Sequence, residues 1–262
     1  MDIEIRGLGI RFRAGVEAAR GIDLTVRSGE FVAVVGPSGC GKSTMLNAIA
    51  CLLSPEEAEV TGEILADGKD VRSCAARDLN FGYVFQRDNL LPWRTIADNV
   101  QTGLEIRGVD APSRRKRTAE LLELAGLTGF EHYYPHQVSG GMRQRTSLIR
   151  TLAYDPDVIL MDEPFGALDA QTRMILQGEL LRIWERTHKT ILFVTHDLAE
   201  AIILAQRVVL FSKRPGFVRQ VYESDLPYPR DPFELRGSPR FGELETTIWQ
   251  TLRDDFRSDP TA

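Results

Sequence analysis

The feature that most constrains the fold is a glycine-rich loop between an apolar run and a helix-like run. Residues 36–44 read GPSGCGKST and match the phosphate-binding pattern G-x-x-x-x-G-K-[ST] at every fixed position. Residues 31–35 before the loop are typical of a buried strand, and residues 43–50 after it are typical of a helix. A strand, such a loop and a helix in this order predict a site for a polyphosphate at the end of a sheet.

All nine loop residues are candidates for nucleotide binding: Gly36, Pro37, Ser38, Gly39, Cys40, Gly41, Lys42, Ser43 and Thr44. Glycines have no Cβ, so successive backbone N–H groups can turn towards a polyphosphate, and the helix N-terminus adds partial positive charge. Lys42 is expected to reach the β- and γ-phosphates, and Ser43 to place its hydroxyl on Mg²⁺ beside the further hydroxyl of Thr44. Because Lys42 and a helix start lie near Cys40, we expect its thiolate to be favoured.

Composition and charge exclude several classes of protein. The 262 residues include 32 Lys and Arg against 37 Asp and Glu, a net charge of −5, which gives no electrostatic footprint for nucleic acid. No apolar run approaches the roughly 18–20 residues of a membrane span, and the first residues alternate like a strand rather than a secretion signal. The cysteines Cys40, Cys51 and Cys74 form no C-x-x-C pair, which favours a reducing cytoplasm. We therefore expect any membrane role to come through a partner.

The order of strand-like and helix-like segments predicts an α/β fold. Residues 1–35 are β-like with glycine breaks, which predicts an antiparallel β subdomain at the N-terminus. Helical signals dominate residues 87–155 and predict an inserted helical subdomain, including a helix over residues 113–125 with Ser113 as its cap. Strand-like runs alternate with helices between residues 158 and 211, which predicts a mainly parallel sheet covered by helices.

The end of the chain is expected to form a wrapped or extended tail, because prolines accumulate from Lys213 onward. Residues 1–222 are assigned to the main domain, and residues 223–262 to a proline-rich tail. The tail is predicted to close with a short amphipathic helix, in which apolar residues recur at helical spacing: Phe241, Leu244, Ile248, Leu252 and Phe256. We expect this apolar stripe to pack against the core.

Two acids follow a strand-like apolar run, at Asp162 and Glu163. The end of such a strand lies at the carboxyl edge of the sheet, where open α/β sheets bind their ligands. Asp162 is expected to support Mg²⁺, often through water, and Glu163 to polarise or deprotonate an attacking water. An acid pair alone is a weak signal, but together with the phosphate-binding loop it predicts nucleotide hydrolysis.

A second anion site is predicted in the part of the sequence between the phosphate-binding loop and the acid pair. Residues 138–145 read VSGGMRQR, in which Ser139 can cap a helix while Gly140 and Gly141 expose N–H groups beside its positive end. This stretch resembles the signature of the ATP-binding cassette (ABC) ATPases, whose common form is L-S-G-G-Q. Val138 and Met142 depart from that form at its edges, and Met142 removes whatever the usual glutamine side chain contributes.

The resemblance covers about residues 1–222 and implies a P-loop NTPase (RecA-like) core that binds ATP and Mg²⁺. In that family the loop and the signature do not meet within one subunit. They meet across a head-to-tail dimer, so that each ATP lies between the loop of one copy and the signature of the other. The resemblance therefore implies a second copy of this chain as a partner.

Four further positions match motifs of this family. Gln86 resembles the Q-loop glutamine, which touches Mg²⁺ or water, and residues 167–169 resemble the D-loop, in which Asp169 contacts the opposite subunit. His196 resembles the switch histidine that contacts the γ-phosphate. Phe12 stands where the family usually has an aromatic residue that stacks on adenine, an interaction that can contribute about 1–3 kcal/mol.

Further resemblance points to one group within the family. The pattern Q-x-x-x-L-L-P-W-R-T-I-A-D-N-V over residues 86–100, the M-R-Q-R after the signature and the pair Pro229-Arg230 are similar to importers of nitrate, sulfonate, taurine and bicarbonate. The resemblance implies integral membrane permease subunits, a solute-binding protein and a peripheral position on the cytoplasmic face of the inner membrane. We expect residues 90–95 to receive a short helix of the permease.

Two alternatives belong to other classes. A soluble ABC ATPase of DNA repair or translation is disfavoured by the acidic balance, by the single cassette and by the lack of a long coiled-coil insertion. A small P-loop kinase acting on a metabolite would need no signature motif. The transported substrate is not readable from this chain.

Overall fold

The computed structural model describes the backbone of residues 1–74, 79–166 and 168–257. Within these residues the strands are β1 (Ile3–Phe12), β2 (Glu17–Val26), β3 (Phe31–Val35), β4 (Ala58–Ala66), β5 (Lys69–Asp70), β6 (Phe81–Val84), β7 (Val158–Asp162), β8 (Thr190–Thr195), β9 (Arg207–Phe211) and β10 (Val218–Glu223). The helices are α1 (Lys42–Ile49), α2 (Ile96–Ile106), α3 (Ala111–Leu124), α4 (Gly140–Ala153), α5 (Ala170–Thr187), α6 (Leu198–Leu204), α7 (Pro232–Leu235) and α8 (Pro239–Arg257). Ala167 of the predicted D-loop lies outside the described residues.

The strands form two sheets. One is a four-stranded antiparallel sheet in the order β2-β1-β4-β5, and the other is a six-stranded sheet in the order β10-β9-β3-β8-β7-β6. In the larger sheet every neighbouring pair is parallel except β9 and β10. The predicted α/β fold, with an antiparallel N-terminal part and a mainly parallel core, is confirmed.

Strand β3 lies inside the larger sheet and is buried on both faces. Because side chains alternate along a strand, Phe31, Ala33 and Val35 join one apolar cluster, and Val32 and Val34 join another. The first cluster contains residues of helices α4, α5, α6 and α8. The second contains residues of α1 and of the antiparallel sheet, so the loop after β3 starts from a strand that is fixed from both sides.

Helix α3 begins earlier than the sequence predicted. Asp110 is its N-cap, and its side chain accepts a hydrogen bond from the backbone N–H of Ser113 at 3.0 Å. The predicted cap at Ser113 is therefore wrong, since Ser113 already lies in the first turn. Pro112 in that turn is the signal that was missed, because proline is favoured at the start of a helix.

The tail packs into the same core as the rest of the chain. The final helix, α8, has 19 residues, so it is much longer than the short helix predicted. The predicted apolar stripe is buried at Phe241, Leu244, Ile248 and Leu252, which confirms core packing for these four residues. The side chain of Phe256 lies outside the description. Among the described helices, none is long and apolar enough to cross a membrane.

Candidate nucleotide site

The glycine-rich loop connects β3 to α1, as its sequence predicts. Gly41 occupies the N-cap of α1 with φ 103°, in the left-handed region, and a Cβ there would collide with the carbonyl oxygen of Ala18. Only glycine fits this position. No side chain caps α1, so its first backbone N–H groups are directed into the loop.

Lys42 is buried inside the loop, with 4% of its surface exposed. Its ammonium group donates hydrogen bonds to the carbonyl oxygens of Gly36 at 2.7 Å and Pro37 at 2.9 Å. These contacts hold a full positive charge at the centre of the loop, beside the N-terminus of α1. Both features favour an anion at this place.

The thiol of Cys40 is directed into the protein rather than towards solvent. It is 1% exposed, and its Sγ lies 3.7 Å from the Lys42 ammonium. Burial raises the pKa of the Cys40 thiol, and the nearby charge of Lys42 opposes this effect without overcoming it. The expectation of a favoured thiolate is therefore wrong, because it considered the charge and not the desolvation.

A cavity of about 310 Å³, which we call the P-loop cavity, opens over the glycine-rich loop. Its lining contains six of the nine predicted loop residues: Ser38, Gly39, Gly41, Lys42, Ser43 and Thr44. Phe12, at the end of β1, also lines the cavity, as do Gln86 and Glu163. Gly36, Pro37 and Cys40 lie behind this surface. Val16, Ala18 and Arg214 line the cavity as well, and sequence reasoning did not select them.

Asp162 joins the carboxyl end of β7 to the loop. Its Oδ1 accepts a hydrogen bond from the Ser43 hydroxyl at 2.7 Å. Burial raises the pKa of the Asp162 carboxyl, and the charge of Glu163 acts in the same direction, while the Ser43 hydrogen bond and the charge of Lys42 oppose it. A cation placed here would favour the charged form of this carboxyl and so lower its pKa.

Three predicted residues converge on a single carboxylate oxygen. Oε2 of Glu163 accepts a hydrogen bond from Nε2 of Gln86 at 3.2 Å and lies 2.9 Å from Nδ1 of His196. These residues follow β6, β7 and β8, which are neighbouring parallel strands, so their carboxyl ends meet at one edge. The Glu163 side chain is 16% exposed, whereas that of His196 is 55% exposed.

The backbone of Glu163 adopts an uncommon conformation. Its φ of 43° lies in the left-handed region, which a side chain normally disfavours. Its N–H donates to the carbonyl of Val194 at 2.8 Å, and its carbonyl accepts from the N–H of Gly166 at 3.1 Å. Such conformations persist where the surroundings enforce them, and they concentrate at functional sites.

The signature residues Ser139, Gly140 and Gly141 form the start of α4. The Ser139 hydroxyl accepts from the Met142 N–H at 3.3 Å, which makes Ser139 the N-cap that the sequence predicts. A Cβ on Gly141 would lie 2.9 Å from Cγ2 of Thr172, so α4 begins in close contact with the first turn of α5.

Asp169 lies next to the signature through Thr172. It is the N-cap of α5, and its carboxylate accepts from the Thr172 N–H at 3.0 Å, which lowers the pKa of Asp169. We call Ser139, Gly140, Gly141 and Asp169 the signature face. Among the described residues that line the P-loop cavity, none belongs to the signature face. Within one chain, the two predicted anion sites therefore do not form one cavity.

The segment after Gln86 is fastened to α4 by two arginines. Arg143 Nε pairs with Oδ2 of Asp88 at 2.8 Å. Arg150 donates to the backbone carbonyls of Asn89 at 2.7 Å and Asp88 at 3.0 Å. Asp88 and Asn89, which follow the cavity-lining residue Gln86, are thus joined to α4, the helix that begins at the signature. No sequence motif revealed this connection.

Trp93, in the predicted docking segment of residues 90–95, projects into solvent. It is 72% exposed, whereas Leu90 is 8% exposed. The backbone of Leu91 is held by the buried Asn99, which accepts from its N–H at 2.8 Å and donates to its carbonyl at 3.2 Å. Phe85, directly before Gln86, lines an apolar cavity of about 760 Å³.

Comparison with known proteins decides the family. The family model described as ABC transporter matches residues 19–166, more than half of the chain. The chain belongs to the ABC transporter family. Its P-loop fold and its class as an ATP-binding ATPase, both predicted from the sequence, are confirmed.

Curated ABC relatives resemble the chain over nearly its whole length. An uncharacterized ABC transporter ATP-binding protein of Methanocaldococcus jannaschii is 47% identical over 240 residues, which cover 92% of this chain and 86% of the relative. The aliphatic sulfonates import ATP-binding protein SsuB of Bacillus cereus is 42% identical, and the match covers 90% of this chain and 88% of the relative. The taurine import ATP-binding protein TauB of Rhizobium johnstonii is 42% identical, and the match covers 95% of this chain and 94% of the relative.

A solved ABC cassette has a similar fold. It is described as a dimeric, post-hydrolysis state of an ATP-binding cassette bound to ADP and Pi. It is 32% identical with a TM-score of 0.75, and the match covers 86% of this chain and 100% of the cassette.

Proposed function

We propose that this chain is the ATP-hydrolysing subunit of an importer for a small anionic or organic solute of the sulfonate, taurine or nitrate type. It acts as a head-to-tail dimer, bound to integral membrane permease subunits at the cytoplasmic face of the inner membrane, and a solute-binding protein delivers the solute. The names of the aliphatic sulfonate and taurine import relatives support the solute class. The dimeric cassette supports the dimer.

The observation that carries the proposal is the separation of the two anion sites. The P-loop cavity holds Lys42 and Glu163, while the signature face caps two helices and contributes nothing to its lining. Ser139 and Gly140 are exposed at the start of α4, where free N–H groups can bind phosphate. A second copy that presents this face to the cavity gives the signature residues a partner.

In the proposed site the chain's own residues bind ATP from both ends. Phe12 stacks on adenine at one side of the cavity, and Lys42 with the N-terminus of α1 holds the β- and γ-phosphates. The hydroxyls of Ser43 and Thr44 line the same wall. Gly36 and Pro37 act behind this wall, because their carbonyls fix the Lys42 ammonium.

The donors at the end of β7 fit Mg²⁺. Ser43 and Asp162 offer two hard oxygen ligands that are already 2.7 Å apart. Gln86 lines the cavity together with Ser43. Mg²⁺ usually takes one or two protein oxygens and completes its shell with phosphate and water. This agrees with the lack, among the described residues, of any cluster of three or more His, Cys, Asp or Glu that could hold a metal alone. Bound Mg²⁺ would neutralise charge on the phosphates.

Hydrolysis in this proposal depends on Glu163. A water oxygen attacks the γ-phosphorus, the bond to the leaving ADP oxygen breaks, and the Glu163 carboxylate accepts the proton of the water. The contacts of its Oε2 with Nε2 of Gln86 and Nδ1 of His196, both of which can donate to a carboxylate, orient this group. His196 contacts the γ-phosphate, and the signature face of the second copy closes the site.

Coupling to the membrane subunits runs through the segment after Gln86. The permease helix binds at residues 90–95, where Trp93 is the exposed apolar side chain. A movement of this segment is transmitted to Gln86 through the backbone. It is transmitted to α4 through the contacts of Asp88 with Arg143 and Arg150. One connection leads to the hydrolytic site and the other to the signature face.

Affinity purification of the tagged chain from detergent-solubilised membranes tests this function. We expect an integral membrane protein to co-purify with the native chain. The Trp93→Glu variant should keep the ATPase activity of the isolated subunit and lose co-purification, because a charge would enter an apolar contact. Trp249→Glu, a change at another exposed tryptophan on α8, is the matched control and should retain the partner. Recovery of the native chain without any membrane protein would contradict the proposal.

A further inference from the structure

The turn between β9 and β10, residues 212–217, lies against the P-loop. The Gly216 N–H donates to the carbonyl of Ala18 at 2.9 Å, and the Gly216 carbonyl accepts from the N–H of Arg20 at 2.9 Å. A Cβ on Gly216 would collide with the carbonyl oxygen of Cys40. This turn is therefore fixed to β2 on one side and to the P-loop on the other.

Ser212 makes the turn rigid from within. The Ser212 side chain is buried; its hydroxyl accepts from the N–H of Phe217 at 3.0 Å and donates to the carbonyl of Lys213 at 2.9 Å. The N–H of Ser212 donates to the carbonyl of Phe217 at 3.1 Å, which closes the turn. Arg214 is thus carried on a backbone with little freedom.

This backbone places Arg214 in the wall of the P-loop cavity. The same cavity is lined by Phe12, Val16 and the loop residues that include Lys42. Within the described part of the chain, Arg214 makes no hydrogen bond or ion pair, whereas the Lys42 ammonium already has two carbonyl partners. Arg214, whose guanidinium has five donors and a permanent charge, thus lines the cavity in which the proposed function places a polyanion.

We propose that Arg214 is a nucleotide-binding residue that donates hydrogen bonds to the phosphate chain from the β9–β10 turn. It supplements the P-loop, because a planar guanidinium binds phosphate oxygens in pairs. Phe12 already offers an apolar face for the base, so the β9–β10 turn contributes a positive charge to the cavity. The inference rests on the proposed placement of ATP in this cavity.

Calorimetric titration of the full chain with ADP and Mg²⁺ tests the inference, since ADP is not consumed. We expect Arg214→Gln to weaken ADP binding about 10–100-fold, the range for a lost charge-assisted hydrogen bond. Arg214→Lys, which keeps the charge and loses the fork, should bind with intermediate affinity. Lys213→Gln removes one charge from the same turn but outside the cavity lining, and it should bind ADP as the native chain does. Melting temperatures without nucleotide verify that each variant is folded.

Inorganic pyrophosphate separates a phosphate contact from a base contact. If Arg214 binds phosphate, Arg214→Gln should weaken competition by pyrophosphate as much as it weakens ADP binding. Weaker ADP binding with unchanged pyrophosphate competition would overturn the phosphate assignment. Native ADP affinity in Arg214→Gln, together with lost binding in Lys42→Ala, would overturn the inference and leave the proposed function standing. Unchanged binding in Lys42→Ala would instead contradict the proposed ATP site itself.

Discussion

At the scale of single residues, the proposed hydrolytic site is organised around Oε2 of Glu163. The side chains of Gln86 and His196 reach this atom from the two strands that flank β7. A carboxylate that accepts hydrogen bonds from its neighbours is held in one orientation, which is what a base needs when it receives a proton from water. The left-handed backbone of Glu163 is a further sign of a position enforced by its surroundings.

The Glu163→Gln variant tests this assignment. The amide has nearly the same shape but cannot accept the proton, so we expect hydrolysis to slow by about 10²–10⁴-fold while ATP binding is retained. Phosphate release in a single turnover measures the rate of hydrolysis, and an equilibrium titration measures the affinity for ATP. Glu120→Gln, at an exposed position on α3, is the control and should hydrolyse ATP normally. The assignment is falsified if Glu163→Gln turns over ATP at the native rate.

From the sequence, only Asp162 and Glu163 were placed at the carboxyl edge of the sheet, whereas Gln86 and His196 were selected by their resemblance to family motifs. The order of the strands brings them together for a general physical reason. Neighbouring parallel strands end at the same edge, so chemical groups that follow β6, β7 and β8 must meet there. Cys40 could not be predicted in the same way. Its neighbour Lys42 is visible in the sequence, whereas the burial that raises the pKa of its thiol depends on the folded chain. Arg214 was missed because the turn that carries it reaches the cavity only through tertiary contacts.

At the scale of elements, the tail fixes the helix that follows His196. Helix α6 starts just after His196, and its terminal carbonyls accept hydrogen bonds from Arg230: Ile202 at 3.1 Å, Ile203 at 3.0 Å and Ala205 at 2.9 Å. Arg230 is 6% exposed, and its guanidinium lies 3.9 Å from the centroid of the Tyr228 ring. The prolines predicted a wrapped or extended tail, and Arg230 together with the apolar stripe of α8 joins this tail to the core.

Removal of the Arg230 guanidinium should destabilise the protein. Arg230→Gln leaves buried carbonyls of α6 without partners, so we expect the free energy of unfolding to fall by about 2–4 kcal/mol. Urea denaturation measures this change. Arg240→Gln, which breaks only exposed ion pairs with Asp225 and Glu243, is the control and should cost clearly less. Equal losses in the two variants would show that Arg230 does not cap α6.

At the scale of the whole molecule, the proposed function gives the chain two halves of a nucleotide site, which lie on different surfaces. The P-loop cavity contains the cationic and hydrolytic side chains, and the signature face presents two helix starts. The link from Gln86 through Asp88 to α4 joins these surfaces within one chain. Binding of ATP between two copies would therefore move the hydrolytic site and the docking segment together.

Sedimentation velocity of Glu163→Gln with Mg²⁺ and ATP tests the central claim most directly. The composite site predicts one species at twice the 29.4 kDa mass of the chain when ATP is present, and the monomer when it is absent. Adding Ser139→Asp keeps the cap of α4 but places a negative charge beside the γ-phosphate, so it should abolish the dimer. Ser113→Asp, in the first turn of α3, controls for the added charge and should leave the dimer intact. A monomer in ATP, or a dimer that tolerates Ser139→Asp, would contradict the composite site.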